Sequence, residues 1–273
     1  MSRPISFLSD FGRSDEFVGV VHGVLATLAP ESRVIDVTHE VRQGDIRAGA
    51  LALTRSIQYL PHGVILAVVD PGVGTERRAI AAETAVGHFV GPDNGLLSPA
   101  VAIVGGATRI VSLESEEARI PSSGATFAGR DIFAPAAALL ASGEAQLGDL
   151  GPDVDPGTVN PLLLPLPEVN GGSVTGEAWW IDRFGNVQTN LSPEDLAGIG
   201  VRAGSTVTVK IGLRLHQVPW VVAYGDVGKD EPLMHVDSSG LIALAVRNGR
   251  ADEALSLAEG TNLTIVGAAD QTS

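Results

Sequence analysis

Residues 63–70 read GVILAVVD, an almost unbroken apolar run that closes on a carboxylate. A strand apolar at successive positions has no side for water, so it must be covered on both faces, as strands of parallel sheets are. The sequence upstream fits such a sheet. PISFL (4–8) is followed by DEFVGVVHGVLATLA (15–29), which sets Phe17, Val20, Val21, Val24 and Leu28 on one helical face; RVIDVTH (33–39) and DIRAGALALTRSIQYL (45–60) come next. Strand, helix, strand, helix, strand predicts an α/β domain with a mainly parallel sheet.

Downstream of about residue 150 the pattern changes. GPDVDPGTVNPLLLPLPEVNGG (151–172) holds five prolines and four glycines, the composition of an extended connection. Beyond it SVTGEAWWID, STVTVKI, LHQVPWVVAYGDV and LTIVGA supply strand-type runs with few long helices, which predicts a smaller antiparallel β-barrel domain. The expected organisation is an α/β domain over 1–160, a linker over 161–172 and a β-barrel domain over 173–273. A chain of 273 residues, 44% hydrophobic, suits two cores.

The net charge of −14 excludes a nucleic-acid surface, which needs surplus Lys and Arg, and points to a small ligand. With no cysteine there is neither a disulfide framework nor thiolate chemistry. No stretch approaches the roughly 20 apolar residues of a membrane span, so the expected location is cytoplasmic. No set of His and carboxylate residues has metal-ligand spacing in sequence, so no metal is expected.

In an open parallel sheet, ligands bind beyond the carboxyl ends of the strands. PISFL is followed by Ser9-Asp10-Phe11-Gly12, RVIDVTH ends in His39, and GVILAVV ends in Asp70 before Pro-Gly-Val-Gly. An aspartate at such a place also serves as a helix cap or turn residue. Two of them on neighbouring strand ends point instead to a site. Arg77 and Arg78 follow within reach of Asp70, and an Asp–Arg pair keeps a carboxylate ionised.

FLSDFG, VIDVTH, VVDPGVGTERR, GPDNGLL, TFAGRDIFAPAAA, IDRFGN, AYGDV and DSSGLIALAV, in that order, resemble the motifs of the S-adenosylmethionine hydrolases, also called SAM hydroxide adenosyltransferases. That family is similar to the SAM-dependent fluorinase and chlorinase. The resemblance implies an N-terminal α/β domain, a C-terminal β-barrel, a homotrimer with active sites between subunits, and SAM as substrate with no cofactor. It implies hydrolysis of SAM to adenosine and L-methionine by attack of water at the ribose C5′ carbon.

By resemblance, Asp10 holds the ribose hydroxyls, Asp182 and Asn186 serve the methionine amine and the adenine edge, and Ser238 the methionine carboxylate. Tyr224 stacks on adenine, and Val246 lies in a stretch that offers its backbone to the base. Asp70 and Arg77 match two members of a water-activating triad of Asp, Arg and His. The third belongs in T-F-H-G-R-D, and this chain reads T-F-A-G-R-D, with Ala128 in the histidine's place. An introduced substitution and a lineage of reduced activity both fit that departure. Of the six histidines, His39 and His235 lie near the inferred ligand region and are candidates to stand in. The resemblance therefore implies a hydrolase weakened by Ala128. The alternatives are a SAM-dependent halogenase, which a carboxylate at residue 70 disfavours because it repels a halide, and a SAM-binding protein without turnover.

Overall fold

The computed structural model describes residues 2–267. The chain divides between Leu163 and Leu164 into two compact units.

The first unit carries, in chain order, β1 (Ile5–Ser9), α1 (Phe17–Leu28), β2 (Val34–Thr38), α2 (Ile46–Ser56), β3 (Gly63–Val68), β4 (Ala79–Thr84), β5 (Gly87–Pro92), α3 (Ser98–Ile103), β6 (Ala107–Ser112) and α4 (Ala134–Ser142). The six strands form one sheet in the order β2-β1-β3-β5-β4-β6. Pairing is parallel from β2 through β5, and β4 runs against both of its neighbours. The reversal has a local cause, since β4 and β5 are joined by a two-residue turn at Ala85 and Val86, too short for any crossover. As the apolar run of β3 requires, all six of its residues are buried. One face of the sheet packs Phe7, Leu66 and Val90 with Val21 and Leu25 of α1 and the buried alanines of α4. The other packs Leu8, Ile65 and Ala67 with Leu53 of α2 and Ala100 of α3.

β2 lies on one side of β1 and β3 on the other, so the chain reverses its direction across the sheet between β1 and β3. Crevices form at the carboxyl ends of strands at such a point. Asp10 and Asp70 lie just past those two ends, and Asp10 N–H donates to the Val68 carbonyl at 3.3 Å.

The second unit carries β7 (Glu168–Asn170), β8 (Ser173–Ile181), β9 (Val187–Thr189), α5 (Pro193–Gly198), β10 (Thr206–Ile211), β11 (Arg214–Pro219), β12 (Pro232–Val236), β13 (Ile242–Val246), α6 (Ala251–Leu255) and β14 (Asn262–Val266). The proline-rich segment is thus irregular only in part, because its end pairs with β8 as β7. The strands form an antiparallel sheet in the order β11-β10-β14-β8-β9-β13-β12. An isolated bridge from Trp220 to Met234 brings its two outer strands together and nearly closes a barrel. Val174, Val187, Leu191, Val209, Leu244 and Ile265 fill the interior. Among the described residues no helix is long and apolar enough to cross a membrane.

Candidate active site

The loop after β3 holds Asp70 in place from two directions. Arg77 Nε and Nη2 reach its two carboxylate oxygens at 3.0 and 2.5 Å, a two-pronged contact between side chains only 12% and 5% exposed. Arg77 also donates through Nη1 to the Arg78 carbonyl at 3.0 Å, and its guanidinium lies 5.2 Å from the centre of the Phe133 ring. From the other side, Asn94 Nδ2 donates to the carbonyl of Val69, the residue before Asp70, at 2.8 Å. The second arginine goes elsewhere: Arg78 Nε donates to the buried Asp93 at 2.8 Å. Asp93 and Asn94 both belong to GPDNGLL, and no role was assigned to either from sequence. Their partners lie 15 and 25 residues away, beyond the reach of spacing arguments.

Asp10 Oδ2 accepts the Gly44 N–H at 2.8 Å. Burial pushes its carboxyl above the ordinary aspartate value, the Gly44 N–H pulls it back, and the negative charge of Asp70 adds a further upward push.

Ala128 stands at the entry of a wide helical turn, Gly129–Phe133, in which Ala134 N–H reaches back five residues to the Gly129 carbonyl before α4 begins. Wide turns of this kind concentrate at functional sites. A side chain in place of Gly129 would crowd this region, since its Cβ would stand 2.7 Å from the tip of the Phe11 ring. The turn thus joins three features of the region: Phe133 under Arg77, Phe11 from the Asp10 loop, and Ala128. Ala128 is 6% exposed and lines, with Arg77, Arg78 and Asp131, a cleft of about 740 Å³. Asp10 and Asp70 do not line that cleft themselves.

His39 does not line this cleft. Its side chain is fully buried, its Nδ1 is 2.8 Å from Ser9 Oγ, and its ring stands edge-on to Phe7 at 4.5 Å. His235 lies in the second unit beside Tyr224, with ring centres 5.1 Å apart.

In the second unit, Asn186, Tyr224 and Val246 share a hollow of about 540 Å³ with Phe184, Asn248, Gly249 and Arg250. Asp182 and Ser238 are not among its lining residues. Asp182 spends its carboxylate on its own turn, accepting Phe184 N–H and Asn186 N–H through Oδ1 and Asn186 Nδ2 through Oδ2. This fixes the Asn186 amide and leaves its Oδ1 and one N–H for other partners. Gly185 makes the turn possible, since its φ of +85° suits no other residue well and a Cβ would fall 2.6 Å from Asp252 Oδ1. Arg250 fastens the turn from outside through Nη1 to the Arg183 carbonyl at 3.0 Å. Tyr224 is 46% exposed, and its phenol is pushed above its ordinary value by burial and by the charges of Asp182 and Asp237. Val246 gives its carbonyl to Gly249 N–H at 3.1 Å. Ser238 sits exposed at the tip of the β12–β13 turn, which Asp237 organises by accepting the N–H groups of Ser239 and Leu241. Phe184 and Arg250 were not singled out from sequence. The aromatic inside IDRFGN was a visible signal for the first, whereas nothing near Arg250 marked the second.

Residues 5–151 match the model of the SAM hydroxide adenosyltransferase N-terminal domain, and residues 176–264 match that of the C-terminal domain. The chain belongs to the SAM hydroxide adenosyltransferase family. Among its relatives, the (R)-S-adenosyl-L-methionine hydrolase of Salinispora tropica is 46% identical, with 96% of this chain and 97% of that protein aligned. A fluorinase of an Actinoplanes species stands further off at 27%, covering 88% and 90% of the two chains. The crystal structure of a conserved protein from Thermotoga maritima superposes with a TM-score of 0.89 at 36% identity, covering 96% of this chain and 99% of the other. Residue 128 of this SAM hydroxide adenosyltransferase chain, inside the N-terminal match, is an alanine. The backbone around it keeps a regular helical path, with Ala128 at φ −58° and ψ −27°.

Proposed function

We propose that the protein hydrolyses S-adenosyl-L-methionine to adenosine and L-methionine, and that the (R) epimer named for its Salinispora relative is a substrate. The observation that carries this reading is the Asp70–Arg77 pair. It is a nearly buried carboxylate gripped through both oxygens by Arg77, at the carboxyl end of β3, the strand paired with the one that Asp10 follows.

The reaction needs a water held in line with the C5′–S bond. As the new C–O bond forms, the C–S electron pair passes to the sulfonium, which leaves as the neutral thioether of methionine, and the water's proton passes to Asp70 and on to solvent. Water is a poor nucleophile, so positioning and proton removal are where the protein contributes. Arg77 fixes the orientation of Asp70, and Asp10 accepts from the ribose hydroxyls. In the second unit, the free Oδ1 and N–H of Asn186 offer the acceptor and donor that an adenine edge requires, and Tyr224 offers a face for stacking. Asp182 orients Asn186, Val246 forms part of the wall, and Ser238 is assigned to the methionine carboxylate. The reaction draws on no cofactor. The two sets of residues sit on separate units, and the proposed working form is a cytoplasmic homotrimer in which they meet across a subunit contact.

With Ala128 in place of an imidazole, the proposed enzyme turns over slowly. Incubation with SAM, with and without chloride, followed by chromatography of the products tests the assignment. Adenosine supports hydrolysis. Formation of 5′-chloro-5′-deoxyadenosine refutes it in favour of halogenation, and SAM left intact but bound refutes it in favour of a binding protein.

A further inference from the structure

His22 on α1, Asp36 in β2 and His39 just past β2 bring one donor atom each to within 4.8 Å of one another. Asp36 Oδ1 is 2.8 Å from His22 Nε2 and 3.1 Å from His39 Nε2. The separation of residues 22, 36 and 39 in sequence hides this meeting, which the packing of α1 against β2 creates.

Two observations set the cluster apart from an ordinary surface ion pair. The His39 side chain is 0% exposed, yet its Nε2 has no aligned hydrogen bond, because the approach to Asp36 is close but off-line. A polar atom left unmatched at that depth costs free energy that a bound cation would recover. In addition, Nδ1 of the same ring contacts Ser9 Oγ at 2.8 Å. When Nδ1–H donates to the serine, the lone pair sits on Nε2, which is how outer partners set the tautomer of metal-ligating imidazoles.

We infer that His22, Asp36 and His39 form a binding site for a divalent transition-metal ion of the zinc class. Two imidazoles and one carboxylate suit Zn2+ and its neighbours better than Mg2+ or Ca2+, which prefer all-oxygen sets. His22 and Asp36 are 37% and 28% exposed, so water can complete the coordination from the open side. The two contacts to Asp36, at 2.8 and 3.1 Å, lie a few tenths of an ångström below the about 3.3–3.5 Å edge of a tetrahedron with bonds of about 2.0–2.1 Å, and all three donor atoms fall within 4.8 Å of one another. One group opposes the ion: Arg13 Nη2 stands 3.4 Å from Asp36 Oδ2. It is 61% exposed and free to swing into solvent. The site would fasten α1 to β2. Because the His39 carbonyl accepts Gly12 N–H at 2.8 Å, it would also steady the loop that carries Asp10.

The test uses the full chain, stripped with a chelator and titrated with ZnCl2 by calorimetry and with CoCl2 by visible absorption. One ion per chain is expected, with the intense ligand-field bands of low-coordinate Co2+. His22→Gln, on an exposed helix position, should weaken Zn2+ binding by at least ~10-fold, while Arg13→Gln should strengthen it. Absence of saturable binding in the micromolar range, or a titration that both variants leave unchanged, overturns the inference and leaves the three residues as a hydrogen-bonded ion cluster.

Discussion

Replacing Ala128 by histidine gives the sharpest measure of the proposed chemistry. The residue lines a cleft of about 740 Å³ together with Arg77 while its other side packs in the core, so the imidazole of the variant is expected to turn toward the cleft. The turn that follows is set by Gly129 against Phe11 and by Phe133 under Arg77, neither of which the substitution touches. The ring therefore adds a proton-handling group to a frame already built. Such a group contributes ~10²–10⁴-fold, which at about 1.36 kcal/mol per decade lowers the barrier by roughly 2.7–5.4 kcal/mol. Because it acts on the transition state more than on bound SAM, kcat should rise by at least ~10²-fold with little change in affinity. Adenosine release at saturating SAM, followed by chromatography, gives the rate, and calorimetry of slowly turned-over SAM gives the affinity. In the histidine form, Arg77→Ala should then erase most of the gain, since residues acting as a unit are not additive. A soluble, folded Ala128→His protein that releases adenosine no faster than the Ala128 chain refutes the reasoning about residue 128.

Asp10→Ala should weaken adenosine binding by ~1–3 kcal/mol in calorimetry, because ribose hydroxyls lose their acceptor; unchanged affinity removes Asp10 from the site. Tyr224→Ala should lose a similar ~1–3 kcal/mol if the base stacks there, and no loss would leave Tyr224 as a mere edge of the hollow. Asp10→Asn tests the raised carboxyl. A folded-state value above the unfolded one stabilises below the unfolded pKa and loses that contribution as pH rises through the folded value. The thermal midpoint of Asp10→Asn should therefore gain on the parent between acid and neutral pH, and a constant difference contradicts the burial effect. Gly185→Ala forces a side chain onto a φ of +85° and a Cβ to within 2.6 Å of Asp252 Oδ1. It should cost more than ~1 kcal/mol in denaturant unfolding, and a neutral result would show that the IDRFGN turn yields.

The sequence made the parallel sheet legible because covering both faces of β3 leaves a trace at every residue from Gly63 to Val68. Asp10, Asp70 and Arg77 were legible for a related reason: a strand end followed by a glycine-rich loop is a local pattern, and Arg77 lies within one loop of its partner. Asp93 and Asn94 stand in a quoted motif, yet what they do depends on Arg78 and Val69 arriving from other strands. The Phe133–Arg77 contact, the Arg250 anchor and the meeting of His22, Asp36 and His39 are likewise products of tertiary packing with no period or spacing to betray them. The antiparallel β4 was present in the sequence as a two-residue connection, but reading it needed both flanking strands to be placed first.

The near-closed barrel has a seam. Among the described residues, the ladder between the β11 and β12 sides consists of the Trp220–Met234 bridge just past β11, reinforced by Val221 N–H on the Met234 carbonyl at 2.9 Å, whereas the pairing of β10 with β14 and of β14 with β8 runs residue after residue. Local opening starts where the fewest bonds must break, so amide protons along this joint should exchange with solvent well before those of β14. Tyr224 is carried on the segment between those two outer strands. In the proposed site, a base stacking on Tyr224 would also still this joint, and that ordering entropy would be subtracted from its affinity.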